Sequence, residues 1–297
     1  MKVTPFINTD KTPTLLCLGE FDSLHFGHKS IIQKAKQGLT HGQSLAVLTF
    51  KNDASAITQK KAGLVFTFEE RLKLFEELGV DEVIYIEFDQ NFACITPERF
   101  LNEIFENRNI NALFCGSDYR FGIRASGDVK YLKSVCENKK IPLFICDFLL
   151  DESGNKISTG QIKQHLESGN IALVNQSLGT RFFVSGKVIE GRKVGRKLGF
   201  PTANILLSSE KFKFKRGVYA CTVIIDDKKY RAITNVGTQP TFEQTGEVVE
   251  CFVSGYSGNL YDSELKIYFD EFIREIKKFD SIEQLIEQLH QDLKVIK

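Results

Sequence analysis

The stretch Gly19-Glu-Phe-Asp-Ser-Leu-His25-Phe-Gly-His28 follows an apolar segment at residues 14–18 and precedes a helical pattern that begins at Ser30. A strand that passes through a short loop into a helix is the repeating unit of a parallel sheet covered by helices. Free backbone N–H groups at the start of such a helix attract phosphate, and two imidazoles add hydrogen-bond donors. The stretch therefore predicts a phosphate-binding turn with His25 and His28 as candidate catalytic residues.

An isolated His-x-x-His pair has a simpler interpretation, in which both histidines are surface residues without a function. The position of this pair between a strand and a helix favours the phosphate site over that alternative. Zinc is not expected, because the chain has only three other histidines, which are His41, His165 and His290.

The first half of the chain alternates strand and helix patterns, which predicts a parallel sheet with helices on its faces. Ligands of such sheets bind beyond the carboxyl ends of the strands, so the loops at 19–28 and 116–122 are expected to face one crevice. The predicted strands cover residues 14–18, 44–50, 82–88, 110–116 and 141–149, and the predicted helices cover residues 67–79, 97–107 and 128–138.

After about residue 180 the chain shows strand patterns separated by short polar turns, which predict a small antiparallel barrel. We place the boundary between residues 180 and 181, giving domains at 1–180 and 181–297. The predicted barrel strands cover residues 182–189, 217–225, 230–236, 247–254 and 264–270. The chain closes with a helix capped by Ser281, whose capping box is completed by Gln284. Its predicted buried face comprises Ile282, Leu285, Ile286, Leu289 and Leu293.

Composition sets the class of protein. The 297 residues suffice for two domains that each bury a core, and 42% hydrophobic with 26% charged residues is typical of a soluble globular protein. A net charge of +1 predicts no nucleic-acid partner. No apolar run reaches the roughly 20 residues of a membrane span, and no signal-peptide core is present, so we expect a cytoplasmic protein. Seven unpaired cysteines, mostly in apolar contexts, indicate reduced core residues.

A second phosphate-binding candidate lies at residues 191–204, where glycines and basic residues precede Thr202 and Asn204. Glycines allow close backbone approach to phosphates, and the Thr and Asn oxygens suit magnesium held together with substrate phosphates. An ordinary barrel turn is the alternative, and the residues alone leave the two interpretations open.

Several motifs carry a family resemblance. Leu198-Gly-Phe-Pro-Thr-Ala-Asn204, Gly217-Val-Tyr and Asn235-Val-Gly-Thr-Gln-Pro-Thr241 resemble the riboflavin kinase module. Gly19 to His28, Gly116 to Asp128 and Ile157-Ser-Thr resemble the FMN adenylyltransferase module. Together they are similar to the bacterial bifunctional riboflavin kinase/FAD synthetase family. This implies a Rossmann-like nucleotidyltransferase domain followed by a riboflavin-kinase β-barrel with a terminal helix.

The resemblance implies two reactions, phosphorylation of riboflavin to FMN and adenylylation of FMN to FAD, each with ATP and Mg²⁺. Glu250 matches the catalytic base of the kinase, although alone it would be read as an outward strand residue in a salt bridge. Thr202 and Asn204 match the metal and phosphate ligands. Asp118 and Arg120 are implied to bind flavin or nucleotide. For Asp118, a purely structural role in a turn is an equally weighted alternative. The remaining implied ATP-binding residues are Gly191, Gly195, Lys197, Gly199 and Pro201 in the kinase, and Gly19, Phe21, Asp22, Gly27, Ser158, Thr159 and Lys163 in the adenylyltransferase.

Two segments depart from the family pattern. The usual Pro-His-Pro after the second strand is replaced within residues 49–54, and Ser-Ser-Thr-x-Ile-Arg is replaced by Ser158-Thr-Gly-Gln-Ile-Lys163. Lysine keeps the positive charge but lacks the bidentate fork of arginine. We therefore hypothesise slow adenylylation or an altered nucleotide preference. Two alternative functions stay open. One is a riboflavin kinase with a weak or inactive first domain, and the other is a flavin-binding regulator. The partners expected are small molecules, and the chain is expected to be a monomer or weak homo-oligomer.

Overall fold

The computed structural model describes residues 1–55, 63–191, 199–238 and 247–296. It forms two compact units, Met1–Thr159 and Gly160–Lys297. The units thus divide after Thr159, about 20 residues before the boundary predicted from the sequence. The predicted combination of a parallel sheet, a closed antiparallel barrel and a terminal helix is confirmed.

The first unit is built on a six-stranded sheet in the order β1-β4-β3-β2-β5-β8, and all five strand pairs are parallel. A two-stranded ladder, β6–β7, lies outside it. The strands are β1 (Lys2–Pro5), β2 (Asp10–Leu18), β3 (Ser44–Phe50), β4 (Glu82–Ile86), β5 (Arg108–Gly116), β6 (Arg120–Phe121), β7 (Gly127–Asp128) and β8 (Leu143–Cys146).

The helices of the first unit begin at polar capping residues. Thr67 and Glu70 form a capping box, and Thr96 caps a helix with proline at its first position. The Asp128 side chain accepts a hydrogen bond from Tyr131 N. These helices are α1 (Phe26–Gln37), α2 (Phe68–Glu77), α3 (Gln90–Ala93), α4 (Pro97–Asn107) and α5 (Val129–Lys139).

Opposite the carboxyl edge of the sheet, a buried ion pair joins three strands. Arg108 Nη1 lies 2.8 Å from Glu82 Oε1, and both side chains are at most 4% exposed. The Thr4 hydroxyl donates to Glu82 Oε1 at 2.6 Å and accepts from Arg108 Nη2 at 3.1 Å. This cluster attaches the short edge strand β1 to β4 and β5.

The second unit contains a closed barrel in the order β10-β13-β12-β11-β14-β9, with every pair antiparallel. Its inner face carries small and branched side chains such as Ala203, Ile205, Val249 and Cys251, all at most 6% exposed. The strands are β9 (Phe183–Ile189), β10 (Thr202–Leu206), β11 (Gly217–Ile225), β12 (Lys228–Thr238), β13 (Glu247–Val253) and β14 (Glu264–Arg274).

Two helices that the sequence patterns did not predict precede the barrel, α6 (Thr159–Ser168) and α7 (Ile171–Leu178). Asn175 holds α7 to the barrel, because its side chain donates to Phe269 O at 2.9 Å and accepts from Phe182 N at 2.7 Å. Leu166 O accepts a hydrogen bond from Lys215 N at 3.0 Å. These bonds explain why the residues after Thr159 belong to the second unit.

The terminal helix α8 (Ile282–Val295) is capped by Ser281, as predicted, with Gln284 N donating to its hydroxyl at 3.3 Å. The predicted buried face is wrong at Ile282, which is 58% exposed, and the rest of that face is only half-buried. The helix is held instead near its carboxyl end, where Arg274 pairs with the buried Asp292 at 2.7 Å. This end of the helix is fixed by the ion pair together with the packing of Leu293 against the core cluster of Val218, Ala220 and Ile233.

Five of the seven cysteines are buried, whereas Cys146 is half-buried and Cys94 is exposed. Burial raises the pKa of the Cys17 and Cys221 thiols far above their ordinary value. The buried cysteines therefore act as small core residues, as expected from the sequence.

Candidate active sites

The loop between β2 and α1 is held in an unusual backbone conformation. Phe21 and Leu24 adopt left-handed φ values of 49° and 46°, and both side chains are fully buried. Non-glycine residues persist in this region only where the surrounding structure holds them. The buried Asp22 carboxylate helps to restrain the loop, because it accepts a hydrogen bond from Val65 N at 2.6 Å. The structure therefore gives Asp22 a role in shaping the loop.

His25 and His28 form one stacked unit at the start of α1. His25 is the N-cap residue, and its Nδ1 accepts a hydrogen bond from His28 N at 3.3 Å. The two rings lie 3.8 Å apart, 13° from parallel. His28 Nδ1 is buried and has no hydrogen-bond partner among the residues that the structure describes. The pair thus presents an unsatisfied polar atom at a helix N-terminus.

Both histidines are neutral at physiological pH. Burial lowers the pKa of His25 to about 4, and the Asp118 charge only partly opposes this shift. Burial also holds the pKa of His28 well below its ordinary value, and a positive charge on His25, like the charge of Arg71, acts in the same direction. A neutral imidazole keeps one N–H donor, so the site can donate hydrogen bonds to phosphate oxygens without carrying charge.

Two glycines make room for the aromatic side chains of this loop. A Cβ on Gly27 would lie 3.0 Å from His25 Cε1, and a Cβ on Gly19 would lie 2.9 Å from the ring of Phe21. The His25 ring therefore covers the first turn of α1 only because residue 27 has no side chain. Both predicted phosphate-loop glycines are explained by close approach of a ring.

The loop after β5 lies at the same sheet edge, because Leu18 and Cys115 are register partners in the β2–β5 ladder. Asp118 forms an ion pair with Lys156, and the charges of both residues act on the pKa of His25. The structure thus brings Asp118 to the histidines, whereas Arg120 is exposed and pairs in β6 with Asp128 of β7. Lys156 was not among the residues selected from the sequence.

Residues 158 and 159 lie at the end of the first unit. Thr159 Oγ1 lies 2.9 Å from Ser23 Oγ, which ties this segment to the loop of the histidines. Ser158 is half-buried beside it. Lys163 belongs to the second unit, where its Nζ lies 5.4 Å from the centre of the Phe212 ring.

The segment that replaces the family's Pro-His-Pro has structural partners. Lys51 Nζ lies 2.7 Å from Glu87 Oε1. Asn52 makes two hydrogen bonds to the backbone of Phe88, at 2.7 and 2.8 Å. These side chains join the end of β3 to the segment after β4.

On the barrel, three polar residues stand in one row across neighbouring strands. Asn204 of β10 pairs with Glu250 of β13, which pairs with Asn235 of β12. Residues directly opposite in antiparallel ladders project from the same face of the sheet. Asn235 Nδ2 donates to Glu250 Oε2 at 3.2 Å, so an amide orients the predicted catalytic carboxylate. Asn235 was quoted in the family resemblance without a role, and only the strand register reveals one.

Thr202 and Asn204 provide a fitting site for a hard cation. They are two residues apart in β10 and therefore lie on the same face. Asn204 Oδ1 is buried and has no hydrogen-bond partner in the described ranges. A Cβ on Gly191 would lie 2.4 Å from Asn204 Nδ2, so the amide lies against the glycine backbone. An orphaned amide oxygen and a hydroxyl on one face of a strand are oxygen donors of the kind that magnesium accepts.

The other predicted ATP-binding residues of the barrel are partly described. Gly199 adopts a left-handed φ of 85°, and Pro201 is exposed next to the start of β10. Gly195 and Lys197 lie outside the described residues. Among the residues described, no cluster of three or more His, Cys, Asp and Glu side chains could hold a metal ion. None of the helices in these ranges has the length and apolar character needed to cross a bilayer.

The fold and the two sites define a transferase with two phosphate-handling units, an α/β unit followed by a closed barrel. A family model described as FAD synthetase matches residues 7–161, and one described as riboflavin kinase matches residues 178–297. The chain belongs to the bifunctional riboflavin kinase/FMN adenylyltransferase family.

Relatives of that description match along nearly the whole chain. The protein from Bacillus subtilis (strain 168) is 30% identical over 295 residues, covering 96% of this chain and 92% of the relative. The protein from Escherichia coli (strain K12) is 29% identical over 283 residues, covering 94% and 90%. A solved structure titled as a macrolide-efflux protein from Streptococcus pneumoniae superposes with a TM-score of 0.87 at 27% identity, covering 100% of this chain and 99% of that one.

Proposed function

We propose that the chain makes FAD from riboflavin in two transfers from ATP. In the barrel, the terminal ribityl hydroxyl of riboflavin attacks the γ-phosphorus of ATP, and ADP leaves. In the first unit, a phosphate oxygen of FMN attacks the α-phosphorus of a second ATP, and pyrophosphate leaves. The observation that carries the proposal is the presence in one chain of both sites, the neutral histidine pair and the Asn204–Glu250–Asn235 row.

Glu250 is the general base of the first transfer. The Glu250 carboxylate accepts the proton of the attacking hydroxyl. Asn235 Nδ2 donates a hydrogen bond to Glu250 Oε2 and thereby fixes the orientation of the carboxylate. Glu250 is half-buried. The carboxylate therefore acts from an oriented rather than a freely rotating state.

Magnesium at the barrel would be held by the hydroxyl of Thr202 and the amide oxygen of Asn204. When bound, the ion supplies positive charge that offsets the charge of the transferring phosphoryl group. The two residues stand in the strand next to Glu250, so the phosphate-holding side chains and the base share one face.

The second transfer needs no strong base, because the FMN phosphate is already anionic. The site must instead position two anions and stabilise charge as it develops. His25 and His28 supply neutral imidazole donors, and the free N–H groups of the first turn of α1 add positive potential. Asp118, Ser158 and Thr159 border this position as further contacts for flavin or nucleotide.

The proposed partners follow from this chemistry. Riboflavin, FMN and ATP are the small-molecule substrates, and Mg²⁺ is the cofactor. We further propose that the protein works in the cytoplasm as a monomer or weak homo-oligomer, without a nucleic-acid partner.

The deciding experiment incubates the purified full chain with riboflavin, ATP and Mg²⁺ and resolves the flavins by chromatography over time. FMN followed by FAD is the expected result. FMN without FAD would restrict the function to the kinase, and unchanged riboflavin would refute both reactions.

Paired variants separate the sites. His28→Asn is expected to stop FAD formation and spare FMN formation. Glu250→Gln is expected to stop FMN formation and spare the conversion of supplied FMN to FAD. Loss of both reactions from either variant, with an unchanged circular dichroism spectrum, would contradict the assignment of one reaction to each site.

A further inference from the structure

Arg71 is a cation buried in the first unit, on helix α2. Its side chain is 1% exposed, and it is the largest of the fully buried side chains among the described residues. Removing a guanidinium from water is unfavourable unless its N–H groups find acceptors inside the protein. The acceptors of Arg71 therefore indicate what this buried charge does.

The Arg71 guanidinium joins two chain segments at the carboxyl edge of the sheet. Its Nη1 donates to Thr49 Oγ1 at 2.9 Å and to Glu20 O at 3.3 Å. Its Nη2 donates to Phe50 O at 2.8 Å and to Lys51 O at 3.2 Å. Glu20 belongs to the histidine loop, whereas the other acceptors lie at the end of β3 or directly after it. The rigid fork of the guanidinium thus spans both segments at once.

Thr49 completes the connection to the histidine loop. Its hydroxyl donates to Glu20 O at 2.6 Å while it accepts from Arg71, and its side chain is buried. A carbonyl oxygen has two lone pairs, so the Glu20 carbonyl can accept from both side chains together. The peptide group between Glu20 and Phe21 is thereby fixed immediately before the left-handed backbone of Phe21.

Aromatic contacts connect the same helix to His28. Phe75 lies one turn after Arg71 on α2, and its ring centre is 6.0 Å from that of Phe21. The Phe21 ring centre is in turn 5.1 Å from the centre of the His28 imidazole. The charge of Arg71 also acts on the pKa of His28, so the guanidinium lies close to this ring. Polar and aromatic contacts from α2 therefore converge on the loop that carries His28.

We propose that Arg71 is a positioning residue for adenylyl transfer, which holds the Glu20 peptide group, and through Phe21 the imidazole of His28, in a fixed place relative to the end of β3. Because its side chain is fully buried, it acts through the loop and does not contact substrate. Fixed donors stabilise developing charge best when they are in place before the reaction, and small displacements are costly. The inference rests on the proposed adenylyl transfer.

The test measures adenylylation of supplied FMN by the full chain carrying Arg71→Lys or Thr49→Val. Lysine keeps the positive charge, but its compact ammonium group lacks the fork that spans both segments. Valine keeps the shape of Thr49 and removes the hydroxyl that links Arg71 to Glu20. Each variant is expected to lower kcat about tenfold and to change the KM for ATP by less than about twofold, because a misplaced donor weakens the transition state more than substrate binding. FMN formation from riboflavin should persist in both.

Matched controls lie towards the opposite edge of the same sheet. Arg108→Lys also replaces a buried, hydrogen-bonded arginine by lysine. Thr14→Val removes another buried hydroxyl, which donates to Thr12 O at 2.8 Å. Both controls are expected to keep the wild-type kcat. Urea unfolding of all four variants measures their stability, so that an effect on kcat is compared between proteins that are equally folded in the assay.

Nuclear magnetic resonance of isotope-labelled histidine adds a readout that does not depend on turnover. The imidazole signal of His28 is assigned by its absence from the spectrum of His28→Asn. We expect this signal to shift in Arg71→Lys and Thr49→Val and to stay unchanged in Arg108→Lys and Thr14→Val, because only the first pair alters the support of the histidine loop.

A wild-type kcat in both Arg71→Lys and Thr49→Val would overturn the inference. A raised KM for ATP at unchanged kcat would also overturn it, and so would equal losses of kcat in Arg71→Lys and Arg108→Lys. If the wild type transfers no adenylyl group, the proposed reaction itself fails. The His28 signal then decides, because an unshifted signal in both loop variants would refute positioning by Arg71 and a shifted signal would support it.

Discussion

Acid should destabilise the first unit through His25, because this side chain is buried, stacked on His28 and neutral in the folded protein. Its pKa falls from the ordinary 6.5 to about 4 on folding, chiefly because burial disfavours the imidazolium. A folded-state pKa below the unfolded value means that the unfolded chain binds protons first. Stability is therefore unaffected above the unfolded pKa and is lost as the pH falls from 6.5 towards about 4.

The size of this loss of stability follows from the proton that His25 binds in the unfolded chain but not in the folded protein. At about pH 5 the unfolded side chain is charged and the folded one is neutral, which costs about 2 kcal/mol of folding free energy. His25→Asn removes this titration and keeps a side chain that caps helices well. Between about pH 7.5 and pH 5 the variant should lose about 2 kcal/mol less stability than the wild type.

Urea unfolding followed by far-UV circular dichroism measures this difference, with limited proteolysis assigning each transition to a unit. His41→Asn, at an exposed loop position, is the control and should follow the wild type. An equal loss of stability in wild type and His25→Asn, with unchanged denaturant dependence, would refute the buried neutral state of His25.

Three further changes test other parts of the structure. Gly27→Ala places a Cβ 3.0 Å from the neighbouring imidazole and should slow FAD formation about tenfold or more while FMN formation persists, as measured by chromatography. Arg108→Met leaves the Glu82 charge buried alone and should cost about 3–5 kcal/mol in urea unfolding, whereas a double Met variant should cost less; equal costs would contradict the pairing. Asn235→Ala frees the catalytic carboxylate and should lower the kcat of the kinase with little change in the KM for ATP, and an unchanged kcat would exclude a positioning role.

Elements with strong local signals were predicted well from the sequence. The strand at 44–50 and the helix at 97–107 coincide with β3 and α4, because apolar patterning and the Thr96-Pro97 start are local properties. The helix after the histidines begins at Phe26 rather than Ser30, since the cap is His25 and not one of the usual small polar residues.

Other elements depend on contacts that the sequence does not display. β1 is a four-residue edge strand that ends in proline, and the sequence around the start of β10 leaves a phosphate loop and a barrel turn open. The position of α6 and α7 on the barrel rests on side-chain bonds of Asn175. The partners of Asp22 and the register of Asn235 likewise required the folded chain.

The polar row on the barrel constrains how this chain can be altered in length. Side chains alternate between the two faces of a strand, so one residue inserted into or removed from β13 would replace Glu250 on the outer face by Val249 or Cys251. The inward face would then receive a carboxylate, and the site would be lost together with the core. Insertions are compatible with function in the connections between strands, such as residues 226–227, and incompatible with it inside β10, β12 and β13. For engineering of fusions or permutants, the choice of break point is thus set by the alternation of faces rather than by distance from the catalytic carboxylate.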